Sequence, residues 1–187
     1  QLGAMGGYEI TAGYEEHPVT EVFQWAGVFY CEQQGQRLPS EAQWEKAARG
    51  PDDPHLWPWG LEEPSCDLAN IMLITSKSET ELCVGDTTEV GSYPEGGSPY
   101  GALDMSGNVA EWVTDWYQAD HYSDSPSTDP EGPETGEAEF DGINLPARLS
   151  RGGAYATESG QASVIYRYPE REDGTSNGVG FRCARAL

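Results

Sequence analysis

GALDMSGNVAEWVTDWY (Gly101–Tyr117) sets a glycine-flanked turn in front of an aromatic run. The turn around Asn108 gathers backbone carbonyls and a side-chain amide, and Glu111 adds a carboxylate three residues later. Trp112 and Trp116 follow at i, i+4 spacing, which fits a helix, and Val113–Tyr117 also reads as a short strand. Two readings of the turn stay open on spacing alone. In one it is a hard-cation loop, since calcium takes six to eight oxygen ligands drawn from carboxylates, amides and carbonyls. In the other, Asn108 tolerates a left-handed backbone and Glu111 is a solvated carboxylate in a first helical turn.

The flanking segments show where regular structure stops and starts. Over Glu21–Gln34, Val22, Trp25, Val28 and Phe29 share one face of an amphipathic helix that ends near Gly35. Ser40 and Gln43 have the spacing of a capping box for a second helix through Arg49, which Gly50 and Pro51 stop. Besides Val113–Tyr117, short strands are expected near Leu149–Ala154, Ser163–Arg167 and Gly180–Ala184. With 23 glycines and 13 prolines in 187 residues, the rest is predicted to be loop. Residues 118–147 carry eight carboxylates (Asp120, Asp124, Asp129, Glu131, Glu134, Glu137, Glu139, Asp141), four prolines and no Lys or Arg. Such a stretch buries too little apolar surface to fold alone and reads as an acidic surface insertion.

Thirty-two acidic against 10 basic residues give a formal charge of −22. That charge repels phosphate backbones, so nucleic acid is excluded as a partner. No run of 18 apolar residues exists to span a membrane, and the first residues show neither the basic nor the apolar part of a signal peptide. Cys31, Cys66, Cys83 and Cys183 form no CxxC pair and allow three disulfide connectivities, or four reduced thiols. The histidines His17, His55 and His121 are scattered, and no GxSxG elbow is present, so neither a histidine metal cluster nor a serine hydrolase is indicated.

GQRLPSEAQWEKAARG (Gly35–Gly50), WPWG (Trp57–Gly60), TTEVGSYPEGGSPYGALDMSGNVAEWVTDWY (Thr87–Tyr117), RGGAY (Arg151–Tyr155) and GFRCAR (Gly180–Arg185) occur in that order, with HPV (His17–Val19) upstream. Together they resemble the formylglycine-generating enzyme family, the sulfatase-modifying factor domain. The resemblance implies an α+β, loop-rich, C-type-lectin-like fold, with a short antiparallel sheet and two short helices. It implies a single domain over residues 1–187 that lacks the family's N-terminal portion, as a processed fragment or split subunit would. It also implies a disulfide between Cys31 and Cys183, which leaves Cys66 to pair with Cys83.

Two calcium sites are implied as well. One falls at Asn70, Ile71 and Asp86, and the other at the carbonyls of Gly107 and Val109, the amide of Asn108 and the carboxylate of Glu111. The parent enzymes oxidise a substrate cysteine with copper held by two cysteines that follow the motif matching RGGAY. Here the aligned positions carry Thr157 and Ala162, neither of which offers the thiolate that soft Cu(I) selects. A second branch, the ergothioneine-type sulfoxide synthases, uses iron-binding histidine pairs absent from this chain. The groove implied for ligands lies within Gly152–Tyr168. There Tyr155, Glu158, Ser159, Gln161, Ser163 and Tyr166 combine aromatic faces with adaptable polar groups suited to a protein or carbohydrate ligand. The expectation is a non-catalytic, calcium-stabilised binding or assembly module of an extracytoplasmic protein, with another chain supplying the missing N-terminal part. Its rival is a divergent metal-dependent oxidoreductase of the same family.

Overall fold

The computed structural model describes residues 10–51, 55–76, 79–123, 125–126, 128 and 130–185. Asp124 and Asp129 of the acidic stretch, and the first nine residues, lie outside that set. The elements are helices α1 (Gln24–Gln33) and α2 (Glu41–Arg49), then strands β1 (Met72–Ser76), β2 (Glu79–Leu82), β3 (Ala110–Trp116), β4 (Glu137–Phe140), β5 (Ile143–Arg151), β6 (Tyr168–Arg171) and β7 (Val179–Phe181). No described helix is long and apolar enough to cross a membrane.

β3 is central. It pairs antiparallel with β5, through Glu111↔Arg151 and Trp112↔Ser150, and parallel with β7, through Ala110↔Val179 and Trp112↔Phe181. β5 pairs with β4 over its first half and with β6 over its second. The sheet is therefore mixed, not purely antiparallel as expected. A spacing of four residues returns a side chain to the same face of a strand as well as of a helix. That ambiguity explains how Trp112 and Trp116 fit a helical reading and yet belong to a strand.

β3 is buried on both faces. Val113 packs with Trp44, Ala48, Met105, Leu149 and Val164 on the α2 side. Ala110 and Trp112 pack with Cys31, Leu38 and Val179 on the α1 side. The capping box of α2 forms as expected, with Gln43 N donating to Ser40 Oγ at 3.3 Å and Ser40 N donating to Gln43 Oε1 at 3.1 Å.

α1 departs from expectation. Trp25 and Phe29 are 64% and 61% exposed, whereas Gln24, Gly27 and Cys31 face inward. Three local constraints set this rotation. Cys31 is bonded to Cys183, Gly27 lets the Phe181 ring approach to where a Cβ would lie 3.0 Å away, and Gln24 Nε2 donates to Val113 O at 2.8 Å. Helix propensity and apolar spacing cannot see any of the three.

Residues 163–167 form turns instead of the expected strand, and β6 begins at Tyr168. The acidic insertion is shorter than its composition suggests, because β4 and β5 form a hairpin from Glu137 onward. Its turn is Asp141–Gly142, both at positive φ (52° and 80°), the conformation a two-residue Asp-Gly hairpin loop requires.

Candidate functional site

The 104–111 turn is built from left-handed backbone at Asp104, Gly107 and Asn108 (φ 56°, 81° and 64°). A Cβ on Gly107 would lie 2.4 Å from Asn70 O, and Asn108 N donates to that same oxygen at 2.8 Å. The two clusters expected to bind calcium thus meet at Asn70. Asn108 is 2% exposed, and its amide pairs with one backbone: Oδ1 accepts from Thr88 N at 2.8 Å and Nδ2 donates to Thr88 O at 3.1 Å.

Glu111 has a different set of partners from those expected. Its Oε1 and Oε2 each accept from Arg182, both at 2.5 Å, and Oε2 also accepts from Trp44 Nε1 at 2.7 Å. A dication at this carboxylate would sit against a guanidinium already engaging both oxygens, so Glu111 does not fit a calcium ligand in this arrangement. Asp104, beside the same pair, was missed in the sequence. Its Oδ2 accepts from Gly91 N at 2.6 Å, and burial, reinforced by the Glu111 charge, pushes its carboxyl above the usual range despite the pull of Arg182.

At the first cluster the fit is better. Asn70 is 1% exposed, its Nδ2 donates to Asp86 O at 2.7 Å, and its Oδ1 is buried without a hydrogen-bond partner. An orphaned amide oxygen costs free energy unless something electropositive meets it, and a hard cation is such a group. Asp86 meets Asn70 through its backbone carbonyl, while the hydroxyl of Tyr14, at 2.5 Å, and Thr87 N hold its carboxyl below the usual range. The carbonyl of Ile71 already accepts from Cys83 N at 3.0 Å. Among the described residues, no three His, Cys, Asp or Glu side chains converge as metal ligands. A cation here would rely on amide and carbonyl oxygen with Asp86.

Beyond β5 the chain turns through Gly152 and Gly153 (φ 92° and 70°). Gly152 packs on Trp44, while Thr157 and Ala162 both close on Gly153, each 3.0 Å from where its Cβ would be. The two positions expected to align with the family's copper thiolates are therefore brought together, as a hydroxyl-bearing side chain and a methyl. Thr157 is spent locally: its Oγ1 accepts from Ala154 N at 2.9 Å and its N donates to Ala154 O at 2.8 Å. All four cysteines are closed in the disulfides Cys31–Cys183 and Cys66–Cys83, the connectivity that the resemblance implied.

The loop carrying the expected groove residues is pinned on both sides. Met72 N donates to Thr157 O at 3.0 Å, Ser159 N donates to Met72 O at 2.9 Å, and Tyr155 N donates to Asn108 O at 3.0 Å. Glu158, Gln161 and Tyr166 are exposed, and Tyr155 and Ser159 half-buried, whereas Ser163 is buried and leaves the set. Tyr166 lies against Tyr168 with ring centroids 4.6 Å apart, and Asn177 Nδ2 reaches the Tyr155 hydroxyl at 3.4 Å.

Behind this loop runs a buried ionic network that spacing did not suggest. Arg151 and Glu41, both fully buried, pair at 2.8 Å; Arg151 also reaches Glu45 at 2.5 Å, and Arg167 Nε reaches Glu41 at 2.6 Å. The only signal for it was the arginine of RGGAY, and its partners lie more than 100 residues earlier.

A loop-rich α+β scaffold with a double-glycine turn after β5 defines a class, and comparison identifies the family. Residues 4–187 match the sulfatase-modifying factor enzyme 1-like domain, and the chain belongs to that family. It is 36% identical over 178 residues to the serine/threonine-protein kinase pkn1 of Chlamydia pneumoniae, covering 95% of this chain and 25% of the kinase. It is 35% identical over 179 residues to the formylglycine-generating enzyme of Thermomonospora curvata, covering 90% of this chain and 55% of that enzyme. The solved structure of PvdO from Pseudomonas aeruginosa superposes with a TM-score of 0.69 at 27% identity, over 92% of this chain and 63% of that one. The chain thus spans a quarter of the kinase and about half of the enzyme. Its fold is α+β and of the formylglycine-generating-enzyme type.

Proposed function

We propose that this chain is a non-catalytic, calcium-stabilised binding or assembly module that acts outside the cytoplasm. The carrying observation is the pair Thr157 and Ala162 packed on Gly153, in a chain whose four cysteines are all in disulfides. Without a thiolate pair, soft Cu(I) has no suitable ligands there. The rim of Tyr155, Glu158, Ser159, Gln161 and Tyr166 would then serve recognition of a protein or carbohydrate. Occurrence of the same domain as a quarter of a kinase's length is in keeping with a module joined to other functions. Two disulfides suit an oxidising compartment, which supports the extracytoplasmic reading.

The test is direct. Protein loaded with copper and incubated with a sulfatase-motif peptide should leave its cysteine intact by mass spectrometry, whereas conversion to the aldehyde would refute the reading. Metal analysis of purified protein should find calcium; stoichiometric copper or iron would favour a divergent oxidoreductase instead. Calcium is assigned to Asn70 Oδ1 and Asp86. A ligand that binds only the folded state stabilises it by RT ln(1 + [L]/Kd), so calcium should raise the melting temperature and chelation lower it. Asn70→Ala should abolish that response.

A further inference from the structure

The cations of this acidic chain are unevenly employed. Arg148, Arg151, Arg167, Arg171 and Arg182 each pair with a carboxylate. Arg49 pairs with Glu45 at 2.7 Å. Among the described residues, Arg37, Lys46 and Arg185 have no ion pair, all three are exposed, and all three line one groove beside α2. Arg37 pairs by backbone with Ala184, the residue before Arg185, with Arg37 N donating to Ala184 O at 3.0 Å and Ala184 N donating to Arg37 O at 2.7 Å. Lys46 enters from α2, and residues 130–132 of the acidic stretch form part of the lining.

Among the described residues, two carboxylates also line the groove, Glu45 and Glu131. Glu45 is neutralised twice, by Arg49 and by Arg151 at 2.5 Å. Among the described lining residues four cations, Arg37, Lys46, Arg49 and Arg185, outnumber these two carboxylates, the reverse of the balance in a chain of charge −22. Tyr100 and Tyr122, 56% and 41% exposed, add aromatic surface to it.

We infer that this groove binds a short acidic peptide segment of a partner protein. Its volume of about 1260 Å³ exceeds the roughly 300–1,000 Å³ of small-molecule sites and suits several residues of chain. The unpaired donors are guanidinium and ammonium groups, which read carboxylates, and guanidinium does so bidentately. Among the described lining residues Gln43 is the one side-chain amide placed to read sugar hydroxyls. The surrounding negative charge repels long polyanions, so the segment must be short and its acidic residues clustered where the three cations meet it. This groove shares no residue with the 152–168 loop, so the inference stands apart from the function proposed above.

Fluorescence anisotropy with labelled hexaglutamate, on the whole chain, tests the proposal. Binding should weaken with added salt and fall roughly tenfold or more when Arg37→Gln, Lys46→Gln and Arg185→Gln are combined. Glu131→Gln should tighten it. The substituted residues are exposed, so the triple variant should keep the wild-type melting curve. If a melting shift shows that it does not, the Glu131→Gln response decides the matter. No binding of hexaglutamate, equal binding of labelled hexaglutamine, or unchanged affinity in a folded triple variant each overturns the proposal. So does binding of an oligogalacturonate where hexaglutamate fails, which would make the groove a site for acidic sugars.

Discussion

At the residue scale the decisive contact is that between Glu111 and Arg182, which lie 71 positions apart in the chain. Glu111→Gln removes the carboxylate that engages Arg182 through both oxygens and turns an amide toward a guanidinium. Loss of one partner of a buried pair costs about 3–5 kcal/mol, and the Arg182 side chain is 31% exposed here, so about 2–3 kcal/mol is expected by urea denaturation. Asp104→Asn should behave otherwise. It keeps an acceptor for Gly91 N, tolerates the positive φ, and removes a carboxylate whose ionised form is disfavoured by burial. Its cost should stay within about 0.5 kcal/mol, and an equal loss in both variants would show that the guanidinium contact is not what matters. Asn108 was legible as a turn residue because its left-handed backbone is a local requirement. The partners of Glu111 and Arg151 were not, because a charge pair closed by the fold leaves no periodicity behind.

At the element scale the two disulfides divide the labour of holding irregular chain. Cys31–Cys183 fastens α1 to the segment after β7 across 152 residues, and Cys66–Cys83 fastens the β1–β2 hairpin across 17. In the chain-entropy view the first contributes roughly 5 kcal/mol and the second roughly 3. Replacing Cys31 and Cys183 by alanine should therefore lower the denaturation midpoint further than replacing Cys66 and Cys83. The reverse order would mean that strain or residual structure outweighs loop closure. α2 was readable to the residue because its cap, Trp44 and Gly50 are local signals, and Ser40→Ala should cost about 1 kcal/mol. The rotation of α1 was not readable, since a disulfide, a glycine contact and a glutamine bond to β3 outvote its apolar stripe. The β4–β5 hairpin could have been found from Asp141–Gly142, but acidic composition masked it.

At the scale of the whole molecule, net charge and buried carboxyls act in the same direction. Asp104, Asp115 and Glu170 all have carboxyls raised chiefly by burial; Asp115 also faces the charge of Glu41, and Glu170 has Ser150 as its hydrogen-bond partner at 2.9 Å. A group with a raised folded pKa binds more protons folded than unfolded, so stability falls as pH rises through the window between the unfolded and folded values. Acidification from neutrality should consequently stabilise the fold, and it also relieves the self-repulsion of a chain at −22. The opposite sign belongs to Asp86, Asp173 and Glu15, whose carboxyls are lowered, by Tyr14, by Arg171 and by nearby backbone N–H groups respectively. Their contribution is present above the ordinary carboxylate range and is lost as pH falls below it. The melting temperature should therefore rise from pH 8 to about pH 5 and decline below about pH 4. Added sodium chloride should raise it at pH 7 more than at pH 5, because screening matters most where the charge is largest. A scanning calorimetry series across pH and salt checks both, and a melting temperature that falls steadily from pH 7 to pH 5 would mean that the paired carboxylates outweigh the buried ones.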